Sequence, residues 1–163
     1  MIYNYILSLG SNIESRENYL VKALLELNSI GRIIKKSSIY ETEAWGEKNQ
    51  SNYYNAIINF ESYFTPNKLL QALKKIEKTI GRKKSLHWGP REIDIDIIFC
   101  QDYTVNESEL IIPHPEFAER KFVLQPMLEI NKDYVFTDSN KSIAELLRLC
   151  KDKSDVNKLD LSW

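Results

Sequence analysis

The chain has 163 residues, of which 43% are hydrophobic and 28% charged, and we expect one globular domain spanning residues 1–163. A net charge of −1 argues against nucleic acid or an anionic membrane as a partner, since both attract basic proteins. No apolar stretch approaches the length of a membrane span and the N-terminus lacks the features of a signal peptide, so we expect a cytoplasmic protein.

The hydrophobic pattern predicts alternating strands and helices in most of the chain. Strands are predicted at residues 3–9, 32–42, 53–63 and 92–99. Apolar stripes at helical spacing predict helices at residues 17–30, stopped by Gly31, and from Thr65-Pro66 to Gly81. This order is the split βαβ pattern. We therefore expect an α+β fold with a ferredoxin-like βαββαβ core, a mainly antiparallel sheet and helices packed on it.

A strand and helix extension is predicted beyond that core. Residues 107–112 indicate a further strand, and a Pro-His-Pro corner around His114 follows it. Ser142 and Glu145 have the spacing of a capping box, which predicts the start of a C-terminal helix. Cys100 and Cys150 each lie near the end of an apolar run, so we expect free thiols rather than a disulfide or a metal site.

Two aspartates interrupt the most apolar of the predicted strands. Asp94 and Asp96 lie two residues apart and therefore share one face, whereas the other face carries Ile93, Ile95, Ile97 and Phe99. Side chains at that spacing are about 7 Å apart, so two carboxylates can converge on one Mg²⁺ or on a pair of ions. The alternative interpretation is a strand with one solvated face, on which aspartate is merely tolerated.

A basic loop precedes this strand. It runs from Gly81 to Arg91 and contains two glycines and a proline, which are typical of a loop. Arginine binds phosphate oxygens bidentately, so we interpret Arg82 and Arg91, which bracket the loop, as polyphosphate ligands. For any single lysine in the loop, an ordinary solvated position is the preferred interpretation. The chain has no P-loop motif and no Gly-x-Gly-x-x-Gly motif, so it is not a nucleotide-binding protein of those types.

These residues occur in the order of a known family. The segment Trp88-Gly-Pro-Arg91-x-x-Asp94-Ile-Asp96-Ile-Ile resembles the signature of the 6-hydroxymethyl-7,8-dihydropterin pyrophosphokinase family. The likeness extends to Leu9-Gly-Ser-Asn12, Ser37-Ser-x-Tyr40-x-Thr42, Tyr53-x-Asn55-Ala, Gly81-Arg82, Pro113-His114 and Arg120-x-Phe122. The resemblance implies an enzyme of folate biosynthesis that transfers the β,γ-diphosphate of ATP to the hydroxymethyl group of the pterin and releases AMP.

The resemblance also implies a role for each matching position. Asp94 and Asp96 would hold two Mg²⁺ ions, and Arg82 and Arg91 would stabilise the triphosphate during transfer. The positions that match the ATP site are Glu77, Trp88, Ile97, His114 and Arg120. The positions that match the pterin pocket are Thr42, Trp45, Tyr53, Asn55 and Phe122. We expect a monomer whose partners are these two small molecules, with no nucleic acid or membrane partner.

The residue types agree with these roles. Tyr53 and Phe122 can sandwich a flat pterin, and Asn55 offers a donor and an acceptor to its edge. An ordinary core aromatic is the alternative at either aromatic position, and an ordinary turn histidine is the alternative at His114. The glycines that flank the basic loop predict a lid, in which Trp88 closes over the substrates. Arg82 would then reach the phosphates mainly in the closed state.

Two other classes of protein share parts of the pattern. A polymerase-β-type nucleotidyltransferase also has Gly-Ser after a strand and Asp-x-Asp on a strand, but its motifs lie close together, whereas Ser11 and Asp94 are far apart here. It would release pyrophosphate instead of AMP. A non-enzymatic ferredoxin-like module, such as an RNA-binding domain, would carry an aromatic recognition strand and a basic face, and neither occurs.

Departures from the family pattern at residues 43–44, Glu109 and Pro115 bear on substrate affinity more than on reaction type.

Overall fold

The computed structural model of the chain describes residues 1–44, 50–83, 89–136 and 139–163. Its strands are β1 Tyr3–Ser11, β2 Arg32–Lys36, β3 Tyr40–Thr42, β4 Tyr53–Ser62, β5 Asp94–Cys100, β6 Val105–Asn106, β7 Ile111–Ile112, β8 Val135–Phe136, β9 Lys141–Ser142 and β10 Val156–Lys158. Its α-helices are α1 Arg16–Leu27, α2 Pro66–Ile80, α3 Lys121–Ile130 and α4 Ile143–Leu149. The predicted α+β class is confirmed. Within these residues, no helix has the length and apolar character needed to cross a membrane.

One antiparallel sheet organises the fold. Its strand order is β10-β3-β4-β1-β5, and β2 also pairs with β4. Every pairing in it is antiparallel, which confirms the predicted sheet type. The narrower ferredoxin-like assignment stays a prediction.

The prediction of one strand over residues 32–42 is wrong, because the segment forms the two strands β2 and β3. Ser37 interrupts the ladder between them. Its backbone N–H donates to the Ile57 carbonyl at 2.9 Å, while its side-chain oxygen, in place of a carbonyl, accepts from the Ile57 N–H at 3.0 Å. A serine side chain that competes with the backbone in this way leaves little periodic signal in the sequence.

Two apolar clusters cover the two faces of the sheet. On one face, α1 and α2 contribute Leu20, Ala23, Leu27, Leu69, Leu73 and Ile76 to a core that includes Leu7 and Leu9 of β1. On the other face, α3 and α4 contribute Val123, Leu124, Met127, Ile143 and Leu146 to a core that includes Ile6. Because β1 alternates, Ser8 and Gly10 share the face of Ile6 but lie beyond that second core. This uncovered end of the sheet is where the cavity lies.

Strand β5 contributes to both cores because it carries a bulge. Ile6 pairs with Phe99 and Leu7 pairs with Ile97, so Ile98 is an extra residue. Ile97 consequently packs in the α1/α2 core, whereas Ile98 and Phe99 pack in the α3/α4 core. The prediction that Phe99 shares a face with Ile97 is therefore wrong, since a bulge breaks the two-residue period.

Other boundaries also differ from prediction. Residues 107–112 are not one strand, because β6 and β7 pair as a short hairpin. Helix α1 ends at Leu27, before the predicted stop at Gly31. A Cβ at Gly31 would lie 2.3 Å from the Glu61 carbonyl oxygen, so this glycine allows a close backbone approach instead. Helix α2 ends as predicted with Gly81 at φ 115°, and the capping box of α4 is present.

Candidate active site

A cavity of about 420 Å³ opens at the uncovered end of the sheet. Its size is in the range of small-molecule sites. It is lined by nine of the residues predicted from the sequence, namely Thr42, Tyr53, Asn55, Arg91, Asp94, Asp96, His114, Arg120 and Phe122. It is also lined by Ser8, Gly10, Glu43, Pro115 and Glu116. Residues that lie far apart in the sequence therefore meet around one volume.

Asp94 is enclosed by positive charge. Its Oδ1 accepts from Arg82 Nη1 at 2.7 Å, and its Oδ2 lies 2.5 Å from Arg91 Nη1. Burial alone would raise the pKa of Asp94, but Arg82 and Arg91 outweigh it and hold that pKa below its ordinary value. Asp94 is therefore ionised at neutral pH and acts as an anionic centre between the two predicted phosphate-binding arginines.

Asp96 has a different environment on the same strand face. Burial raises the pKa of Asp96 to about 6, and the negative charge of Asp94 adds to this increase. In the described part of the chain, no side chain donates a hydrogen bond to its carboxylate. A partly buried carboxylate of this kind gains most from a bound cation, because a cation replaces the lost solvation and neutralises the repulsion from Asp94.

The polar wall of the cavity is formed by two neighbouring strands. Asn55 is only 4% exposed, and its Nδ2 donates to Thr42 Oγ1 at 2.7 Å. A Cβ on Gly10 would lie 3.2 Å from Asn55 Oδ1 and 3.6 Å from Tyr53 Cδ1. Glycine at this position therefore leaves space beside the Asn55 amide and the Tyr53 ring. The wall presents a fixed hydrogen-bonding edge next to an aromatic face, with room for a flat polar ring.

A second group of lining residues offers donors to an anion. His114 Nδ1 accepts from the Glu116 N–H at 3.2 Å, so the proton of the neutral imidazole is on Nε2. Burial, together with the positive charge of Arg120, holds the pKa of His114 below its ordinary value, and the ring is neutral at pH 7. Arg120 pairs with Glu116, but its Nε is buried without a hydrogen-bond partner among the described residues. An unpaired guanidinium N–H fits a phosphate oxygen.

Three of the predicted site residues lie behind the cavity wall. Glu77 is only 2% exposed, and it accepts from the Ile95 N–H at 2.9 Å and lies 2.5 Å from Arg82 Nη1. Arg82 is thus bound between Glu77 and Asp94. The side chain of Ile97 packs in the α1/α2 core, so its contact with a nucleotide would have to be through the backbone. Trp45, Trp88 and the central part of the predicted lid lie outside the described residues.

Asn12 supports the cavity, although sequence reasoning assigned it no role. Its side-chain Oδ1 accepts from the Arg91 backbone N–H at 2.8 Å, and its backbone N–H donates to the Arg91 carbonyl at 3.1 Å. Its Nδ2 donates to Gln50 Oε1 at 2.9 Å and to the Ser51 carbonyl at 3.2 Å. The Leu9-Gly-Ser-Asn12 segment was the only signal for this residue, and it gave no indication of the partners.

Comparison with known proteins identifies the family. A model of the family 7,8-dihydro-6-hydroxymethylpterin-pyrophosphokinase (HPPK) matches residues 6–132. The chain belongs to the HPPK family. It is 40% identical over 139 residues to the 2-amino-4-hydroxy-6-hydroxymethyldihydropteridine pyrophosphokinase of Aquifex aeolicus, covering 85% of this chain and 87% of that protein. Identity to the Bacillus subtilis protein of the same name is 35% over 158 residues, covering 93% of each.

The fold agrees with a solved member of the family. The chain superposes on Plasmodium falciparum HPPK-DHPS with a TM-score of 0.69 at 16% identity, covering 90% of this chain and 43% of that one. The chain thus spans less than half of that protein, and this likeness concerns the fold. HPPK membership makes the chain an ATP-dependent enzyme of folate biosynthesis that transfers a pyrophosphoryl group to hydroxymethyldihydropterin.

Mg²⁺ dependence is general among such kinases, and the donor set is compatible with it. Mg²⁺ is commonly bound through one or two carboxylates together with substrate phosphates. Asp94 and Asp96 supply two carboxylates to one cavity. Across residues 1–44, 50–83, 89–136 and 139–163 there is no cluster of three or more His, Cys, Asp or Glu that would form a protein-only metal cage.

Proposed function

We propose that the cavity binds the pterin at its β3/β4 wall and the triphosphate of ATP at its β5/α3 wall. The single observation that carries this proposal is that both groups of residues line one volume of about 420 Å³. Thr42 and Asn55 offer the hydrogen-bonding edge, while Tyr53 and Phe122 supply the aromatic faces. His114 and Arg120 supply donors to the nucleotide. Trp45 and Trp88, which the family resemblance assigns to the pterin and ATP sites respectively, lie outside the described residues.

Two Mg²⁺ ions bind at Asp94 and Asp96 together with ATP in this proposal. The support is that both carboxylates lie on one strand face, in the same cavity, with Arg91 beside them. Bound Mg²⁺ would neutralise charge on the phosphate oxygens and help to hold the triphosphate in place. The aspartates would fix the β- and γ-phosphates relative to the pterin wall.

The transfer is an in-line displacement in which the side chains position the substrates and neutralise the charge on the phosphates. The pterin hydroxymethyl oxygen forms a bond to the β-phosphorus, the bond from that phosphorus to the α–β bridging oxygen breaks, and AMP leaves with that oxygen. The hydroxyl proton is released to a phosphate oxygen or to water. Asn55 and Tyr53 orient the pterin, and Arg91 offsets the charge that moves onto the leaving oxygen. No covalent intermediate with the protein is needed.

Arg82 enters this mechanism by changing partners. It is held at 2.5 Å from Glu77 and 2.7 Å from Asp94, behind the cavity wall. When cations and phosphates neutralise Asp94, the Arg82 guanidinium loses much of its attraction to that carboxylate and can turn to the phosphates. Glu77 thus acts on the nucleotide through Arg82, and Ile97 acts through its backbone.

We further propose that residues 1–163 form one catalytic domain. Phe136, Ile143 and Leu146 of the C-terminal part pack in the α3/α4 core, and Leu159, Leu161 and Trp163 pack against the α1/α2 core. A monomer in the cytoplasm remains the expected state of the enzyme.

Product analysis tests the proposed reaction. ATP, Mg²⁺ and 6-hydroxymethyl-7,8-dihydropterin are incubated with the protein, and the products are separated by chromatography. AMP and a diphosphorylated pterin are expected in equal amounts. Release of pyrophosphate, or AMP formation without a modified pterin, would contradict the proposal. A reaction without the pterin gives the background of ATP hydrolysis.

The Asn55→Ala variant tests the proposed pterin wall. It is expected to weaken pterin binding by about 1–3 kcal/mol, because the buried edge of the ligand loses its hydrogen-bonding partner. Binding of an ATP analogue should barely change, since Asn55 is assigned no contact with the nucleotide. Calorimetry with each ligand measures both affinities, and Asn52→Ala, at an exposed asparagine nearby, is the control. Equal losses for both ligands would mean that the wall is misassigned.

A further inference from the structure

Helix α3 begins at the cavity, and its start is held by a distant residue. Arg120 and Phe122, on either side of its first residue Lys121, both line the cavity. Arg120 is the N-cap of the helix, but its side chain makes no capping hydrogen bond. Instead, the Lys121 N–H donates to Asp152 Oδ2 at 3.0 Å. A carboxylate at this position accepts from a backbone N–H that has no partner within the helix, and it interacts favourably with the positive end of the helix dipole.

Asp152 is itself fixed by its own segment. Its Oδ1 accepts from the Ser154 N–H at 2.9 Å, and the Ser154 carbonyl accepts from Lys121 Nζ at 2.9 Å. Lys121 therefore contacts the segment at two points, through its backbone and through its side chain. The Asp152 carboxylate thus connects the first turn of α3 with the backbone of its own segment.

The same segment then pairs with the strand that carries Thr42 of the cavity lining. Strand β10 pairs with β3, with Val156 opposite Thr42. Thr42 is the residue whose hydroxyl accepts from Asn55, so this pairing lies directly behind the proposed pterin wall. The Leu159 N–H continues the attachment by donating to the Ile39 carbonyl at 2.9 Å. A short stretch of chain is therefore bonded to α3 and to β3, the two elements that carry Phe122 and Thr42 of the cavity lining.

We propose that residues 152–158 form a brace that sets the position of the first turn of α3 relative to β3, and that Asp152 is a positioning residue for both substrates. The inference rests on the proposed function, because Arg120 and Phe122 are assigned to the nucleotide and the pterin there. Residues 152–158 lie beyond residues 6–132, the range that the family model matches.

Loss of the Asp152 carboxylate is expected to loosen the first turn of α3. The Lys121 N–H then has no acceptor in the protein, and Arg120 and Phe122 are held less firmly on either side of it. Neither side chain is removed, so chemistry in the fully bound complex should change little. The expected effect is weaker binding of both substrates, because each binding event must then order the turn.

The test uses the full chain carrying Asp152→Ala or Asp152→Asn. Asp155→Asn is the matched control, since it removes the same charge from an exposed residue of the same segment. Calorimetry measures the Kd and the stoichiometry for 6-hydroxymethyl-7,8-dihydropterin and for a non-hydrolysable ATP analogue with Mg²⁺. Steady-state assays give kcat and both KM values.

Asp152→Ala is expected to raise both Kd values about three- to tenfold, the range that loss of a helix-capping contact corresponds to. The stoichiometry should remain at one and kcat should change less than twofold. Asp152→Asn keeps an acceptor oxygen without the charge, so its Kd values should lie between those of Asp152→Ala and the wild type.

Two results would overturn the brace. Unchanged Kd values in Asp152→Ala would show that the Asp152 carboxylate does not position Arg120 and Phe122 for binding. A lower stoichiometry with unchanged Kd would indicate partial unfolding instead of positioning. If wild-type protein bound the nucleotide analogue but not the pterin, the proposed function itself would fail, and this inference would fail with it.

Discussion

Replacing Asp94 or Asp96 by asparagine is expected to lower the rate of diphosphate transfer on the order of 10²-fold or more. Each substitution removes a negative charge from the side of the cavity where the phosphates are proposed to bind. Interactions with charge that develops in the transition state affect the rate more than the binding of the ground state. Pterin affinity should change much less, because neither carboxylate is part of the β3/β4 wall. Single-turnover formation of AMP at saturating Mg²⁺ measures the effect.

The control for this prediction is Asp102→Asn, at an exposed turn residue whose φ of 61° an asparagine readily adopts. It should retain the wild-type rate. Near-wild-type turnover in either site variant at saturating Mg²⁺ would rule out the metal-binding role. A large loss of pterin affinity in both variants would point instead to a collapse of the cavity.

Replacing Arg82 by alanine is expected to lower kcat on the order of 10²-fold, with a change of less than about threefold in affinity for an ATP analogue. In the free protein, the charge of Arg82 is compensated by Glu77 and Asp94, so the side chain contributes little to initial nucleotide binding. Its contribution would come when it turns to the phosphates during transfer. Rapid-quench measurement of AMP formation separates this step from binding.

Lys83→Ala is the matched control for Arg82, because it removes a positive charge from the neighbouring exposed residue. Its rate should remain within about twofold of wild type, as is usual for an exposed side chain outside the site. The proposal would be wrong if Arg82→Ala weakened ATP binding and left the rate at saturating ATP unchanged. Arg82 would then be a static phosphate ligand.

Local patterns in the sequence were sufficient to predict two of the elements that carry the site, β5 and α2. The alternation around Asp94 and Asp96 placed both carboxylates on one strand face, and both line the cavity. Helix α2 was predicted with its end at Gly81 because its apolar stripe and terminal glycine are close in sequence. Such features depend on spacing within one element and need no knowledge of the tertiary fold.

Features that depend on contacts between distant segments could not be predicted. Helix α3 has no capping side chain of its own and contains Pro126, so its local signal is weak; its N-terminal acceptor is Asp152. The bulge at Ile98 moves Phe99 to the other face, and the composition of the strand does not indicate it. The position of Glu77 behind Arg82 is likewise a consequence of how α2 packs on β5.

The contacts of Asn12 have a consequence for the entropy of substrate binding. One buried amide side chain connects the end of β1 with the backbones of Ser51 and Arg91, three segments that are remote in sequence. Fixing the backbone of one residue costs about 1–2 kcal/mol of conformational free energy. In this fold that cost is met once, when the chain folds. Each catalytic cycle then starts with the Arg91 backbone already ordered, and more of the binding energy of ATP is left to align the phosphates with the pterin.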